Sequence, residues 1–226
     1  MKVAFYTLGC KVNQYETDLM MKNFEDRGYS VVDFDDIADI YVINSCSVTN
    51  LSSRKSRQMA SKAKRKDGIV VLAGCYSQEL TKSDKLKNVD IVIGNEEKKQ
   101  IVDIVERYIE NGEKVEKVVY KVADISKTIS YVQKDNLNKG INVRESVKIE
   151  DGCNNFCSYC IIPYVRGRVR SRNLDSILSE VNDLVNSGVG EIVLVGIEIA
   201  SYGHDLGENI SLIDVIEKVS LVPGLK

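Results

Sequence analysis

Cys153-Asn154-Asn155-Phe156-Cys157-Ser158-Tyr159-Cys160 sets three cysteines within eight residues, spaced by three and then two intervening positions. A loop this short can wrap three thiolates around one small inorganic object. Thiolates suit iron or an iron–sulfur cluster far better than a hard cation such as magnesium or calcium. No cysteine follows in the chain, so a four-iron cubane held here would keep one iron open, whereas structural metal sites normally fill every position. The alternatives are a zinc knuckle and disulfides. Zinc needs a fourth Cys or His nearby, and His204, the single histidine, lies more than forty residues downstream. The spacing and the missing fourth ligand favour the cluster.

The 226 residues suffice for one large or two ordinary domains. With 43% hydrophobic and 28% charged residues, the composition is that of a soluble globular protein. The N-terminal Met-Lys-Val-Ala-Phe-Tyr-Thr reads as a strand and lacks a signal peptide's longer apolar run and cleavage site. No uncharged apolar run approaches the ~18 residues of a membrane span. A cytoplasmic, non-membrane protein is expected, its six cysteines thiols and not disulfides. The net charge of −2 excludes a chain that is basic all over, so any nucleic-acid contact must come from local patches.

Upstream, short apolar β-prone runs alternate with helical patterns. Residues 2–8, 30–34, 40–43, 69–73 and 90–93 read as strands, and 13–25, 49–66, 77–86 and 96–110 as helices. This alternation predicts a doubly wound parallel sheet over residues 1–112. Cys10, Cys46 and Cys75 each follow the C-terminal end of a predicted strand, the edge where such sheets bind ligands. Three cysteines far apart in sequence can meet there and hold a second open cluster. The alternative is that small buried cysteines favour strand ends.

Two basic stretches stand out. Arg54, Lys55, Arg57, Lys62, Lys64, Arg65 and Lys66 fill one broad arc of a helix that contains no acid, while Ser56, Met59, Ala60 and Ala63 take the other side. This is either a solvated face or one that contacts phosphates. Arg166, Arg168, Arg170 and Arg172 recur every second residue, so an extended segment would put them on one face, toward nucleic acid or a ligand carboxylate; the alternative, for one or two of them, is a structural ion pair. Residues 113–143, with Asn136, Asn138 and Gly140, lack periodicity and read as a hairpin and linker. From 144 onward a strand at 146–150 feeds the cysteine loop. A helix to about Asn186, a strand at 191–195 and a helix at 210–221 follow.

Cys-x3-Cys-x2-Cys with Tyr159 before the last cysteine resembles the signature of radical S-adenosylmethionine enzymes, and the run Asp151–Arg172 resembles their methylthiotransferase subfamily. Thr7–Thr17, Asn44–Thr49 and Ala73–Tyr76 are similar to the three cysteine motifs of that subfamily's N-terminal domain. The resemblance implies a 4Fe-4S cluster on Cys153, Cys157 and Cys160 that binds S-adenosylmethionine and cleaves it to a 5′-deoxyadenosyl radical. It also implies an auxiliary 4Fe-4S cluster on Cys10, Cys46 and Cys75 that carries the sulfur. Tyr159, Gly196 and Glu198 become candidate S-adenosylmethionine contacts, the last two from a partial match to a Gly-Gly-Glu segment in which position 197 is Ile. The implied fold of 144–226 is the first part of a partial (βα)6 barrel, so a truncated chain with poor activity of its own is expected. The implied partners are tRNA, an external flavodoxin- or ferredoxin-like electron donor, and a sulfur donor. Thr7–Gln14 with Asp151–Asn155 most resembles the enzymes that methylthiolate carbon 2 of N6-threonylcarbamoyladenosine next to the anticodon. The alternatives are the isopentenyladenosine enzyme, the ribosomal-protein aspartate enzyme, and a non-catalytic electron-transfer or cluster-carrier protein.

Overall fold

Val3 and Phe5 face one way along the first strand and Ala4 the other, and both faces are buried, as a strand inside a covered parallel sheet requires. The computed structural model describes residues 1–80, 86–111, 118–131, 143–207 and 209–225, in two units, Met1–Ile125 and Ser126–Lys226. The first unit runs β1 (Lys2–Thr7), α1 (Lys11–Asp26), β2 (Ser30–Val32), β3 (Ile40–Ser45), α2 (Asn50–Lys64), β4 (Ile69–Gly74), α3 (Cys75–Glu79), β5 (Ile91–Ile93), α4 (Ile101–Glu110) and β6 (Val119–Lys121). All six strands pair in parallel, in the order β2-β1-β3-β4-β5-β6. Val3, Val42, Val71 and Ile93 pack beneath Met20 and Phe24 of α1 and Ile101 and Val105 of α4. On the other face Ala4, Tyr41, Ile43 and Leu72 meet Met59, Ala60 and Ala63 of α2.

Two expectations for the first unit change. The sheet runs past residue 112, because β6 lies in the stretch read as linker; its three residues show no periodicity and become a strand by pairing with Ile91–Ile93. The helix expected at 77–86 is the single turn α3, and 81–85 lie outside the described residues. Much of the expected hairpin, including Asn136, Asn138 and Gly140, also lies outside them.

The second unit comprises β7 (Arg144–Lys148), β8 (Glu150–Asp151), α5 (Ile162–Val165), β9 (Arg170–Ser171), α6 (Leu174–Asn186), β10 (Glu191–Val195) and α7 (Leu212–Ser220). β7 and β10 pair in parallel on either side of the α6 crossover, a βαβ unit. Asn173 caps α6 by accepting from Asp175 N at 2.8 Å, and Ser211 with Asp214 forms a capping box on α7. Val147, Ile149, Ile177, Val181, Leu184, Val215 and Val219 make the core. The single strand expected at 146–150 is interrupted at Ile149. Beyond it β8 leaves the parallel pair and joins β9 antiparallel, Asp151 opposite Arg170.

That small clamp closes the cysteine loop at its base, where Cys153 N donates to Gly167 O at 3.1 Å. Gly152 has φ +88°, and a Cβ there would lie 1.9 Å from the Arg168 carbonyl oxygen. Gly188, after α6, has φ +100° with nothing within 4 Å of an added Cβ. Gly188→Ala should therefore cost only the left-handed backbone strain, about 1–2 kcal/mol. Gly152→Ala must also displace a backbone and should cost clearly more. Urea unfolding of the intact chain checks this, and equal losses would contradict it.

Candidate metal centres

In a parallel sheet the C-terminal ends of all strands share one edge. β1, β3 and β4 are adjacent there, with Thr7 level with Asn44 and Asn44 level with Ala73. Cys10, Cys46 and Cys75 therefore leave the edge within three residues of mutually paired positions. The chain leaves β1 toward β2 and returns on the other side as β3, so this is the point where strand order reverses and where open α/β sheets bind ligands. A Cβ on Gly9 would lie 2.9 Å from the Cys46 sulfur, so the Cys10 turn sits against Cys46. Cys10 is exposed at the N-cap of α1, while Cys46 and Cys75 are buried. The partial positive charge at that helix start favours an anionic group.

A polar network ties the three turns together. Asn13 Nδ2, three residues past Cys10, donates to Leu8 O at 2.7 Å and to Ser45 O at 3.0 Å. Asn44 Nδ2 donates back to Asn13 O at 2.8 Å and to Thr17 Oγ1 at 3.0 Å. Ser45 Oγ donates to Ala73 O and accepts from Ser77 N, spanning the residues before and after Cys75. Asn13, Asn44 and Ser45 lie inside the cysteine motifs, but spacing alone gives them no role. Side-chain amides and hydroxyls clustered at strand ends beside cysteines were the available signal.

In the second unit Cys153 is buried, Cys160 half-buried and Cys157 exposed. Phe156 between them has φ +46°, a strained conformation for a non-glycine residue. Asn155 N donates to Cys153 Sγ at 3.5 Å, and Asn95 Nδ2 lies 3.8 Å from Cys75 Sγ. Among the described residues no three or more His, Cys, Asp or Glu side chains stand close enough to hold a single metal ion. A four-iron cubane asks for a wider triangle, because each thiolate binds a different iron. Two all-thiolate donor sets, each with an N–H directed at a sulfur, fit such clusters better than a lone ion.

The alternating arginines do not form the shared outward row expected of them. Arg166, Arg170 and Arg172 are buried, and only Arg168 is exposed, its guanidinium 4.2 Å from the Phe156 ring centroid. The segment is not uniformly extended: α5 precedes Arg166, Gly167 turns at φ +79°, and β9 spans two residues. Asp151 Oδ2 sits 2.8 Å from Lys148 Nζ and 3.4 Å from both Arg166 and Arg170, and Arg172 pairs with buried Glu180. On α2 the basic arc is divided. Lys62 pairs with Asp35, Lys64 with Asp90, Lys66 caps the Phe34 and Asp36 carbonyls, and Arg57 donates to Tyr76. Arg54 and Arg65 are exposed and Lys55 half-exposed, with no ion pair among the described residues.

Tyr159 is 90% exposed, and His204 is an exposed loop residue. Glu198 accepts from Asn155 Nδ2 at 3.1 Å, which links it to the cysteine loop. Ile197 N and Glu198 N, both beside Gly196, donate to Glu150 Oε2 at 2.8 Å each. Glu150 is fully buried, and sequence reading missed it because nothing in the sequence marks a strand-end Glu as buried. Burial pushes its carboxyl from 4.5 up to about 7, with Asp151 adding to the rise, while the two N–H groups and Lys148 oppose it. A raised folded-state value means the folded chain holds the proton more tightly. Stability from this group is present below about 4.5 and is lost as pH rises through about 7. The iron-free chain should therefore lose stability across that window, and Glu150→Gln should flatten the loss. Urea midpoints measured at each pH check it, and a slope unchanged by the substitution would contradict it.

Comparison with known proteins finds a family match in each half. Residues 2–94 match the family described as "Uncharacterized protein family UPF0004", and residues 147–222 match the radical SAM superfamily. A threonylcarbamoyladenosine tRNA methylthiotransferase, MtaB, of Aquifex aeolicus (strain VF5) is 45% identical over 93% of this chain and 51% of its own length. The protein of that name from Thermotoga maritima is 37% identical over 96% of this chain and 49% of its own. A tRNA-2-methylthio-N(6)-dimethylallyladenosine synthase of Clostridium perfringens (strain SM101 / Type A) is 31% identical over 97% and 50%. The chain spans about half the length of these curated relatives. Among solved structures, the radical S-adenosylmethionine methyltransferase TsrM of Kitasatospora setae shares the fold, with a TM-score of 0.58 at 14% identity over 96% of this chain and 50% of that one. The chain thus carries these two matched domains in this order, and at 37–45% identity it is similar to proteins named threonylcarbamoyladenosine tRNA methylthiotransferase.

Proposed function

We propose that the chain works in methylthiolation of tRNA, at carbon 2 of N6-threonylcarbamoyladenosine next to the anticodon. The observation that supports this most is the meeting of three cysteine turns on adjacent strand ends, in one chain with the Cys153–Cys160 loop. Cys153, Cys157 and Cys160 hold one 4Fe-4S cluster, and Cys10, Cys46 and Cys75 hold the auxiliary one. When bound, the clusters and S-adenosylmethionine supply the radical and sulfur chemistry. The protein positions them, with Asn13, Asn44 and Ser45 fixing the auxiliary cysteines and the β8–β9 clamp fixing the others. Tyr159, Gly196 and Glu198 line the S-adenosylmethionine side of the second site. An external electron donor and a sulfur donor complete the reaction. Among the described residues no helix is long and apolar enough to cross a membrane. Of the two readings of the basic arc, phosphate contact falls to Arg54, Lys55 and Arg65, which have no ion pair among the described residues.

Anaerobic reconstitution should load about eight irons per chain, and replacing Cys153, Cys157 and Cys160 by alanine should leave about four. Adding Asn13→Ala to that triple variant should lower the remaining iron, because the Cys10 and Cys46 turns lose their shared donor. Retention of eight irons by the triple variant, or stoichiometric zinc in the natural chain, would refute the two-cluster assignment. Reduction with S-adenosylmethionine should yield 5′-deoxyadenosine, which a cluster carrier would not produce.

If Arg54 and Lys55 contact phosphates, neutralising both should flatten log affinity against log salt by roughly 0.7–0.9 per contact, alike for every tRNA sequence. Neutralising Lys64 should change stability instead, since Asp90 holds it. An unchanged slope in the Arg54/Lys55 variant returns the helix to a solvated face.

A further inference from the structure

Glu150 is the least explained polar side chain in the second unit. It is completely buried at the end of the parallel pair, in β8, three residues before Cys153. Its Oε2 accepts both N–H groups of the 197–198 turn, while Oε1 has no hydrogen-bond partner among the described residues. A buried carboxyl oxygen without a partner is costly, so a core selected for stability alone would favour an apolar residue here. Gly196 makes room for it: a Cβ at that position would fall 2.7 Å from Oε2 and 3.2 Å from the Glu150 Cβ.

The bonds form a continuous chain. Glu150 holds the backbone of Ile197 and Glu198, the Glu198 carboxylate accepts from Asn155 Nδ2, and Asn155 N donates to Cys153 Sγ. Asn155 thus touches a cysteine sulfur through its backbone and Glu198 through its side chain. The presence of Ile at 197, where the Gly-Gly-Glu pattern has glycine, also becomes intelligible. Position 197 contributes its N–H to Glu150, and any residue but proline has one.

We propose that Glu150 is a positioning residue, whose carboxyl holds the 197–198 turn so that Glu198 is presented beside the cysteine loop to the amino group of S-adenosylmethionine. This rests on the reading of Glu198 as an S-adenosylmethionine contact. What positions the turn is the reach of the acceptor, not its charge. A glutamine amide oxygen has two lone pairs and can accept both N–H groups, whereas an aspartate keeps the charge but ends one methylene short.

The test compares Glu150→Gln, Glu150→Asp and Glu198→Ala in the full chain after cluster reconstitution. It reads S-adenosylmethionine affinity by equilibrium dialysis and the change in the reduced cluster's paramagnetic spectrum on adding S-adenosylmethionine. Glu150→Gln should bind within about threefold of the natural chain, and Glu150→Asp should bind about tenfold more weakly with its iron retained. Glu198→Ala should be weakened as well, and adding Glu150→Asp to it should cost little more, since both changes remove the same contact. Amide exchange provides an iron-independent reading: Ile197 and Glu198 should exchange faster in Glu150→Asp and not in Glu150→Gln. An aspartate variant that binds and exchanges like the natural chain overturns the proposal, as does a glutamine variant as impaired as aspartate. If Glu198→Ala binds normally, or the natural chain takes up none, the reading of Glu198 fails and the proposal falls with it. A weakened Glu198→Ala beside an unaffected Glu150→Asp sinks the proposal alone.

Discussion

Parallel strand pairing sends every strand's C-terminal end to one edge, and the first set of cysteines depends on that constraint. Cys10, Cys46 and Cys75 are separated by tens of residues, but β1, β3 and β4 are neighbours in register. The turns after them are short and have no other place to go. Asn13, Asn44 and Ser45 then restrict how far those turns can drift, by hydrogen bonds that cross from one turn to the next. An open edge between strands of reversed order is a general ligand site in such sheets, and here it is lined with sulfur.

The second set obeys a different rule. Three thiols within eight residues need no sheet to bring them together; they need a loop whose base cannot open. Gly152, with the Arg168 carbonyl where a side chain would be, lets β8 and β9 approach closely enough to clamp it. Asp151 gathers Lys148, Arg166 and Arg170 at the same base. Such buried ion pairs are poor sources of net stability, but removing one partner leaves a charge stranded in the interior, at a cost of about 3–5 kcal/mol. They hold the base in one arrangement and exclude others.

Charged residues that look alike in sequence thus divide by burial. Arg166, Arg170 and Arg172 turn inward to carboxylates, while Arg168 remains outside against Phe156. At and just past the end of α2, lysines bind the acids and carbonyls of neighbouring turns and Arg57 donates to Tyr76, while Arg54, Lys55 and Arg65 have no ion pair among the described residues. Exposed pairs of that kind contribute little to stability, about 0–1 kcal/mol each, but they do remove cations from any phosphate-binding face.

Spacing and periodicity are properties of the chain itself, so the cysteine loop, the strand–helix alternation and the strand-end positions of Cys10, Cys46 and Cys75 could be read directly. So could the apolar side of α2, because Met59, Ala60 and Ala63 recur at the helical period. Partners cannot be read this way. That β6 is a strand depends on β5 lying beside it, and that Glu150 is buried depends on a turn forty-seven residues away. The alternating arginines suggested an extended row, and only folding showed that Gly167 and α5 break it and that Asp151 and Glu180 wait inside. Local pattern determines which element a residue joins. Whether its charge meets water or a counter-charge is decided by what tertiary packing brings against it.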